Sequence, residues 1–310
     1  MVHRFVGGIA AILLLLASCG ETAPPQAGPA SSPSPVATFP LTIDGVTIAQ
    51  RPERIVSLSP TATEMLFAIG AGDQVEAVDD QSNYPADAPV TDLSGFEPNV
   101  EAIASYEPDL VVYSTEPGDL GAALAGLAIP ALVQPAATTL DDVYEQIDQL
   151  GVATGNTSEA KDVVENMRAE IESIAGSIES PTEPVTYYHE LDDTYYSVTS
   201  STFIGQLYSL VGLRNIADEA KGAGGGYPQL SAEYIVEANP DLIFLADTKC
   251  CGQSRQTVAK RPGWDRIAAV KNGGVIPLDD DVASRWGPRV VEYLRRIARA
   301  VADVLEAQAA

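Results

Sequence analysis

The chain has 310 residues, with 43 acidic against 18 basic side chains and a net charge of −25 at neutral pH. A polyphosphate would be repelled by that field, which argues against nucleic acid as a partner. Its two histidines, His3 and His189, are too few for a multi-imidazole metal centre.

Arg4 is followed by an uncharged run over 5–17 that overlaps Leu16-Ala17-Ser18-Cys19. This is the pattern of an export signal ending in a lipobox, and its apolar core is too short for an ordinary membrane span. Residues 1–18 are therefore read as a signal peptide and Cys19 as the lipidated first residue of an extracytoplasmic protein, held to the membrane by its acyl chains. Residues 19–40, rich in Pro, Ala and Ser, have too little apolar surface to fold and read as a tether. With the signal removed, His189 is the one imidazole left, in a strand pattern where packing in the core is its ordinary role.

Short apolar runs bounded by turn residues predict strands over 42–48, 54–57, 110–113, 131–134, 185–189, 242–245 and 274–277. Helical patterns lie between them. At Ser59-Pro60, a capping serine and a proline at the first helical position open one such helix. Alternation of strand and helix implies an α/β fold of two parallel-sheet lobes, over 41–150 and 184–310. Between them, over 151–183, apolar residues Val163, Met167, Ile171, Ile174 and Ile178 are spaced by four, four, three and four. That spacing predicts one long amphipathic backbone helix over 157–179, a stiff strut joining the lobes and limiting their motion. Charge is unequal between them: 41–150 holds 19 acidic and 2 basic residues, a net of −17, whereas 184–310 holds 16 and 13, a net of −3.

One phrase is written twice. VEAIASYEPDLVVY at 100–113 returns 132 positions later as AEYIVEANPDLIFL at 232–245, each carrying E-x-I-x4-P-D-L. The isoleucine, proline and leucine are what a helix-to-strand connection requires. Glu101 and Glu233 are not, because a helix start accepts Asp, Ser or Thr as well and gains only a few tenths of a kcal/mol from a carboxylate.

No G-x-S-x-G elbow, no G-x4-G-K-[ST] phosphate loop and no His/Cys metal spacing occurs, so an enzyme is not indicated. The run GAGGGY at 222–227 lacks the strand-then-helix context of a dinucleotide fingerprint and reads as a flexible loop. Adjacent Cys250 and Cys251, at the end of a strand, leave three readings open: a vicinal disulfide, two free thiols, or a soft ligand to a bound metal complex.

RIVSLSPTATEMLFAIGAGDQV, NYP, NVEAIASYEPDLVV, YPQLSAEYIVEANPDLI and RPGWDRIAAVKNGGVIPLDDDVASRWGPRVVEYL, in this order over about 51–305, resemble the cobalamin and ferric-siderophore substrate-binding lipoproteins of ABC importers. The resemblance implies a ligand cleft between two lobes joined by a backbone helix, with a chelated metal compound as cargo and no cofactor. It implies docking of Glu101 and Glu233, one per lobe, on a permease that works with ATPase subunits. It also implies ligand contacts from Tyr84, Phe96, Tyr227, Asp281, Arg285 and Trp286. A corrinoid is the favoured cargo; a ferric siderophore or haem is the alternative, since this chain has Phe96, Ser114 and Tyr227 where cobalamin binders often carry tryptophan.

Overall fold

Asp44 and Gly45, with φ of 49° and 82°, reverse the chain between β1 (Leu41–Ile43) and β2 (Val46–Ile48). The expected single strand over 42–48 is thus an antiparallel hairpin, for which Asp-Gly is a strong turn signal. The computed structural model describes residues 37–178 and 183–309; the signal peptide, Cys19 and most of the tether lie outside them.

The first lobe continues with β3 (Ile55–Leu58), α1 (Pro60–Ala68), β4 (Val75–Val78), α2 (Val100–Ala104), β5 (Leu110–Tyr113), α3 (Leu120–Gly126), β6 (Ala131–Val133) and α4 (Leu140–Thr154). Helix α5 (Thr157–Gly176) follows. It stops three residues short of the expected end at 179, which itself lies outside the described residues. The second lobe holds β7 (Thr186–Glu190), α6 (Phe203–Leu210), β8 (Arg214–Asn215), α7 (Ala232–Ala238), β9 (Leu242–Leu245), α8 (Arg255–Ala259), α9 (Ala268–Lys271), β10 (Val275–Pro277), α10 (Asp280–Ser284) and α11 (Val290–Ala309). Strands β4 and β8 were not anticipated; β8 has only two residues, too few for an alternating pattern.

Each lobe is built on a four-stranded parallel sheet, ordered β4-β3-β5-β6 in the first and β8-β7-β9-β10 in the second. Numbered within its own lobe, each reads 2-1-3-4. The doubled phrase fills the same slot in both: the helix before the third strand. Ile103 and Ile235 are fully buried, as are Leu110 and Leu242. Glu107 and Asn239, the residues before the two prolines, both take left-handed φ, 48° and 49°. The repeated aspartate has a structural task that the sequence reading left open. Asp109 accepts from the backbone N–H groups of Glu53 and Arg54 at 2.9 and 3.0 Å. Asp241 likewise accepts from Thr186 N at 2.8 Å and Thr186 Oγ1 at 2.7 Å. Each carboxylate therefore satisfies donors at the entry of the neighbouring strand, β3 or β7, which the ladder leaves free.

Alternation along the strands divides the core. Ile55, Leu110 and Val112 from one sheet, and Tyr187, Leu242 and Phe244 from the other, join one continuous cluster with Met167 and Ile171 of α5 and Leu294 of α11. The opposite faces form two local clusters, Val56, Ile103 and Val111 in the first lobe and Tyr188, Ile235, Ile243 and Trp264 in the second. Helix α5 packs along α4 and α11, and at 20 residues it is about 30 Å long. The shared core, more than the strut, couples the lobes, because separating them would expose apolar surface at about 25 cal/mol per Å².

D241A leaves Thr186 N without its partner at a part-buried strand entry. The expected loss is about 1–3 kcal/mol, with D109A similar in direction, to be measured by urea unfolding at unchanged m-value.

Candidate functional site

The segments after β3 and β4 of the first lobe meet the segment after β10 of the second, as the bonds that cross between them demonstrate. Glu64 of α1, only 3% exposed, is the centre of these contacts. Arg285 Nη1 donates to its Oε1 at 2.8 Å and Arg289 Nε to its Oε2 at 2.9 Å. Arg285 Nη2 also donates to Gln81 O at 2.9 Å, and Asn83 Nδ2 to Asp281 Oδ2 at 3.1 Å. Glu64, Gln81 and Asn83 follow first-lobe strands; Asp281, Arg285 and Arg289 follow β10. The Asp281–Arg285 pair, 3.1 Å apart, is thus not an isolated surface ion pair. Burial opposes ionisation of Asp281, but the hydrogen bonds from Lys249 and Asn83 and the charges of Arg285 and Lys249 together outweigh it, and the carboxyl sits below its ordinary range.

Exposed aromatic rings stand on loops that follow strands of both lobes. Tyr84 lies half exposed in the loop after β4, with the Arg289 guanidinium 4.3 Å from its ring centre. Phe96 is 75% exposed. Its loop is fixed by Ser94 Oγ, which accepts from Phe96 N and Glu97 N at 3.2 and 3.0 Å. Gly95 lets it lie close to β3: a Cβ there would come within 2.6 Å of Leu58 O. Tyr227 stands exposed after the glycine run, in a segment that pairs with the loop following β7 through Thr199 N to Gly226 O, 2.8 Å. Tyr196, which sequence reasoning did not single out, is exposed on that same loop and bridges to Gln229. Trp286 differs from the others: it is half-buried against the shared core, and its Nε1 donates to Gln146 Oε1 at 2.9 Å.

Glu101 and Glu233 occupy equivalent places. Each is the second residue of its helix, after the caps Asn99 and Ser231, on the end of the lobe from which the strand C-termini emerge. Both are exposed, and neither carboxylate has a hydrogen bond or ion pair among the described residues. A model of the family described as periplasmic binding protein matches residues 55–282. The chain belongs to the periplasmic binding protein family. It is 32% identical to the uncharacterized ABC transporter substrate-binding lipoprotein YvrC of Bacillus subtilis, over 95% of this chain and 96% of that one. It is 29% identical to a cobalamin-binding protein of Halobacterium salinarum, over 94% and 82%. A solved haem-binding protein from Roseiflexus, RhuT in its apo form, superposes with a TM-score of 0.69 at 25% identity, covering 82% of this chain and 99% of that one.

Beneath the second-lobe rim of this periplasmic binding protein is a buried acid pair. Glu190, at the end of β7, is held by Arg261 through two bonds of 2.6 Å. Asp247, just after β9, is fully buried and neither of its oxygens has a donor. Burial first, then the charge of Glu190, pushes its carboxyl up to about 8, which disfavours the charged form of a group that has no donor. His189 is fully buried with Nδ1 2.8 Å from Tyr208 Oη, and burial lowers it to about 3. It is a neutral core residue, as its strand context suggested. Neither Glu64, Arg289 nor Asp247 was selected from sequence; the one signal for Glu64 was a carboxylate inside the apolar run TEMLFAIG.

E64A strands two guanidiniums at a buried junction and is expected to cost roughly 3–5 kcal/mol, read by denaturant unfolding, with E64Q losing less. Asp247 has a folded-state value near 8 against 3.8 unfolded. The folded protein therefore keeps a proton that the unfolded chain releases, and this group's contribution weakens as pH rises between those values and then levels off. In unfolding series from pH 5 to 9, D247N should gain on the parent chain progressively up to about pH 8.

Proposed function

We propose that this chain is the extracytoplasmic capture subunit of an ABC importer that delivers a chelated metal compound, a corrinoid first, to a permease and its ATPase subunits. The observation that carries the reading is the pair of unpartnered glutamates at matching positions of two lobes with one topology. Two equal lobes suit a two-fold permease, and a carboxylate free of internal partners is available to a cation on it. The names of the relatives support transport. Cys19 anchors the protein in this reading, with the Pro-rich segment as leash.

Charge separates the candidate cargoes. The first-lobe loops facing the junction, 59–64, 79–101 and 114–119, contain nine acidic residues and no lysine or arginine. The second lobe brings Lys249, Arg261, Arg285 and Arg289 toward the same region, and each is tied to a carboxylate at 2.9 Å or less. Lys221, on the glycine run, is the exposed exception. An anionic haem with two free carboxylates would meet repulsion and no unpaired arginine, whereas a neutral or cationic chelate would not. Rings at Tyr84, Phe96, Tyr227 and Tyr196 add about 0.5–1.5 kcal/mol each where they stack. A ferric hydroxamate is therefore the second reading and haem the third.

Titration with aquocobalamin, a neutral ferric hydroxamate and haem, followed by the fluorescence of Trp286 at the lobe junction, should rank affinities in that order; tightest binding of haem would overturn the charge reasoning. In cells, E101A/E233A should abolish uptake while the purified variant keeps the parent Kd, and C19S should release the protein from the membrane fraction.

A further inference from the structure

Just after β9 the chain turns through 246–252, and the Asp280 carboxylate holds that turn. It accepts from Thr248 N at 2.9 Å, Thr248 Oγ1 at 2.7 Å, Lys249 N at 2.8 Å and Cys250 N at 3.0 Å. Lys249 Nζ reaches Asp279 at 2.8 Å and Asp281 at 2.7 Å. Asp281 is the residue that meets Asn83 of the first lobe. Two adjacent thiols, exposed Cys250 and half-buried Cys251, thus sit one ion pair from the contact between lobes. Among the described residues no group of three or more His, Cys, Asp or Glu is placed to hold a bare metal ion.

We propose that Cys250 and Cys251 are a reversible dithiol–disulfide site that sets how firmly the second-lobe rim is held. The oxidant is an external disulfide, RSSR, of the kind met outside the cytoplasm. The Cys250 thiolate attacks RSSR and releases one RS⁻; the Cys251 thiolate attacks the mixed disulfide and releases the other. The two cysteines lose two electrons and two protons, and RSSR becomes two RSH. Burial, the Cys251 thiol and the carboxylates of Asp280 and Asp247 push Cys250 up to about 12. These surroundings slow the exchange and equally disfavour the thiolates that reduction would regenerate, so the uncharged bridge persists until a reductant removes it.

Ring closure has a mechanical consequence. Adjacent Cα atoms across a trans peptide are about 3.8 Å apart, closer than the shortest usual disulfide separation of about 4.4 Å. Closure strains the 250–251 peptide, and in this proposal that strain falls on the adjoining bond from Cys250 N to Asp280. The turn that positions Lys249 on Asp281 then loosens, and with it the second lobe's side of the junction.

The test uses the full chain carrying C19S, in which Cys250 and Cys251 are the remaining thiols, treated with oxidised glutathione. Intact mass and peptide mapping should find an internal 250–251 bridge without retained glutathione, reversed by a phosphine. Amide exchange over 248–250 should rise about tenfold in the bridged form, and C250S/C251S should not respond to the oxidant. Stable glutathione adducts, disulfide-linked dimers, or a bridge without faster exchange would each overturn the proposal. Only the affinity arm rests on the capture reading: aquocobalamin should bind the bridged form about fivefold more weakly, as for one lost hydrogen bond. If no chelate binds either form, the capture reading fails, while mass and exchange still decide the site.

Discussion

Glu64 is buried between two guanidiniums contributed by the other lobe, and the cleft is organised around that fact. A carboxylate at that depth is tolerable only with its partners in place, since desolvation costs several kcal/mol per ion and is offset only by close, well-aligned donors. Arg285 and Arg289 supply them from the segment between β10 and α11. Their position fixes Asp281, which in turn fixes Lys249 and Asn83. One buried charge thereby sets the relative placement of the two rims, and the apolar core that both sheets share resists any wide opening. Such a molecule captures cargo with surfaces largely formed beforehand, which lowers the ordering cost of binding.

The doubled phrase reads differently once its residues are in space. Four of its five letters build the same joint twice: isoleucine in the local core, proline after a left-handed residue, aspartate bridging to the neighbouring strand, leucine starting a buried strand. Only the glutamate does no internal work in either copy. Two lobes with one topology but charges of −17 and −3 are mechanically equivalent and electrostatically unequal. A field of that asymmetry affects association rates and the choice of cargo more than stability.

Much of the fold was legible because its signals are local. Buried parallel strands appear as short apolar runs and the backbone helix as a spacing of four and three, and its start at Thr157 is the one expected. Local signals also explain the errors. Residues 42–48 are apolar at every second position on both sides of Asp44-Gly45, so a hairpin mimics one strand unless the turn is given its weight. Strand β8 carries two residues and no period. Tyr84, Phe96 and Tyr227 were named as ligand contacts through segments that resemble a family; the structure leaves all three exposed, as it does Tyr196, which bridges to Gln229. Trp286 was named through the same resemblance; the structure half-buries it against the shared core, with its Nε1 on Gln146 of α4.

Composition and order alone determined the sign of the field, the α/β alternation, the repeated joint and the presence of two thiols side by side, because each is a property of neighbours in the chain. Which charges neutralise one another was decided only by the tertiary structure. Glu64 and Arg285 are 221 positions apart, Arg261 and Glu190 are 71, and Asp247 feels the charge of Glu190 because β7 and β9 are adjacent. Coulomb energies and desolvation vary with distance and depth, not with separation along the chain, and both are set when the two sheets pack against their common core.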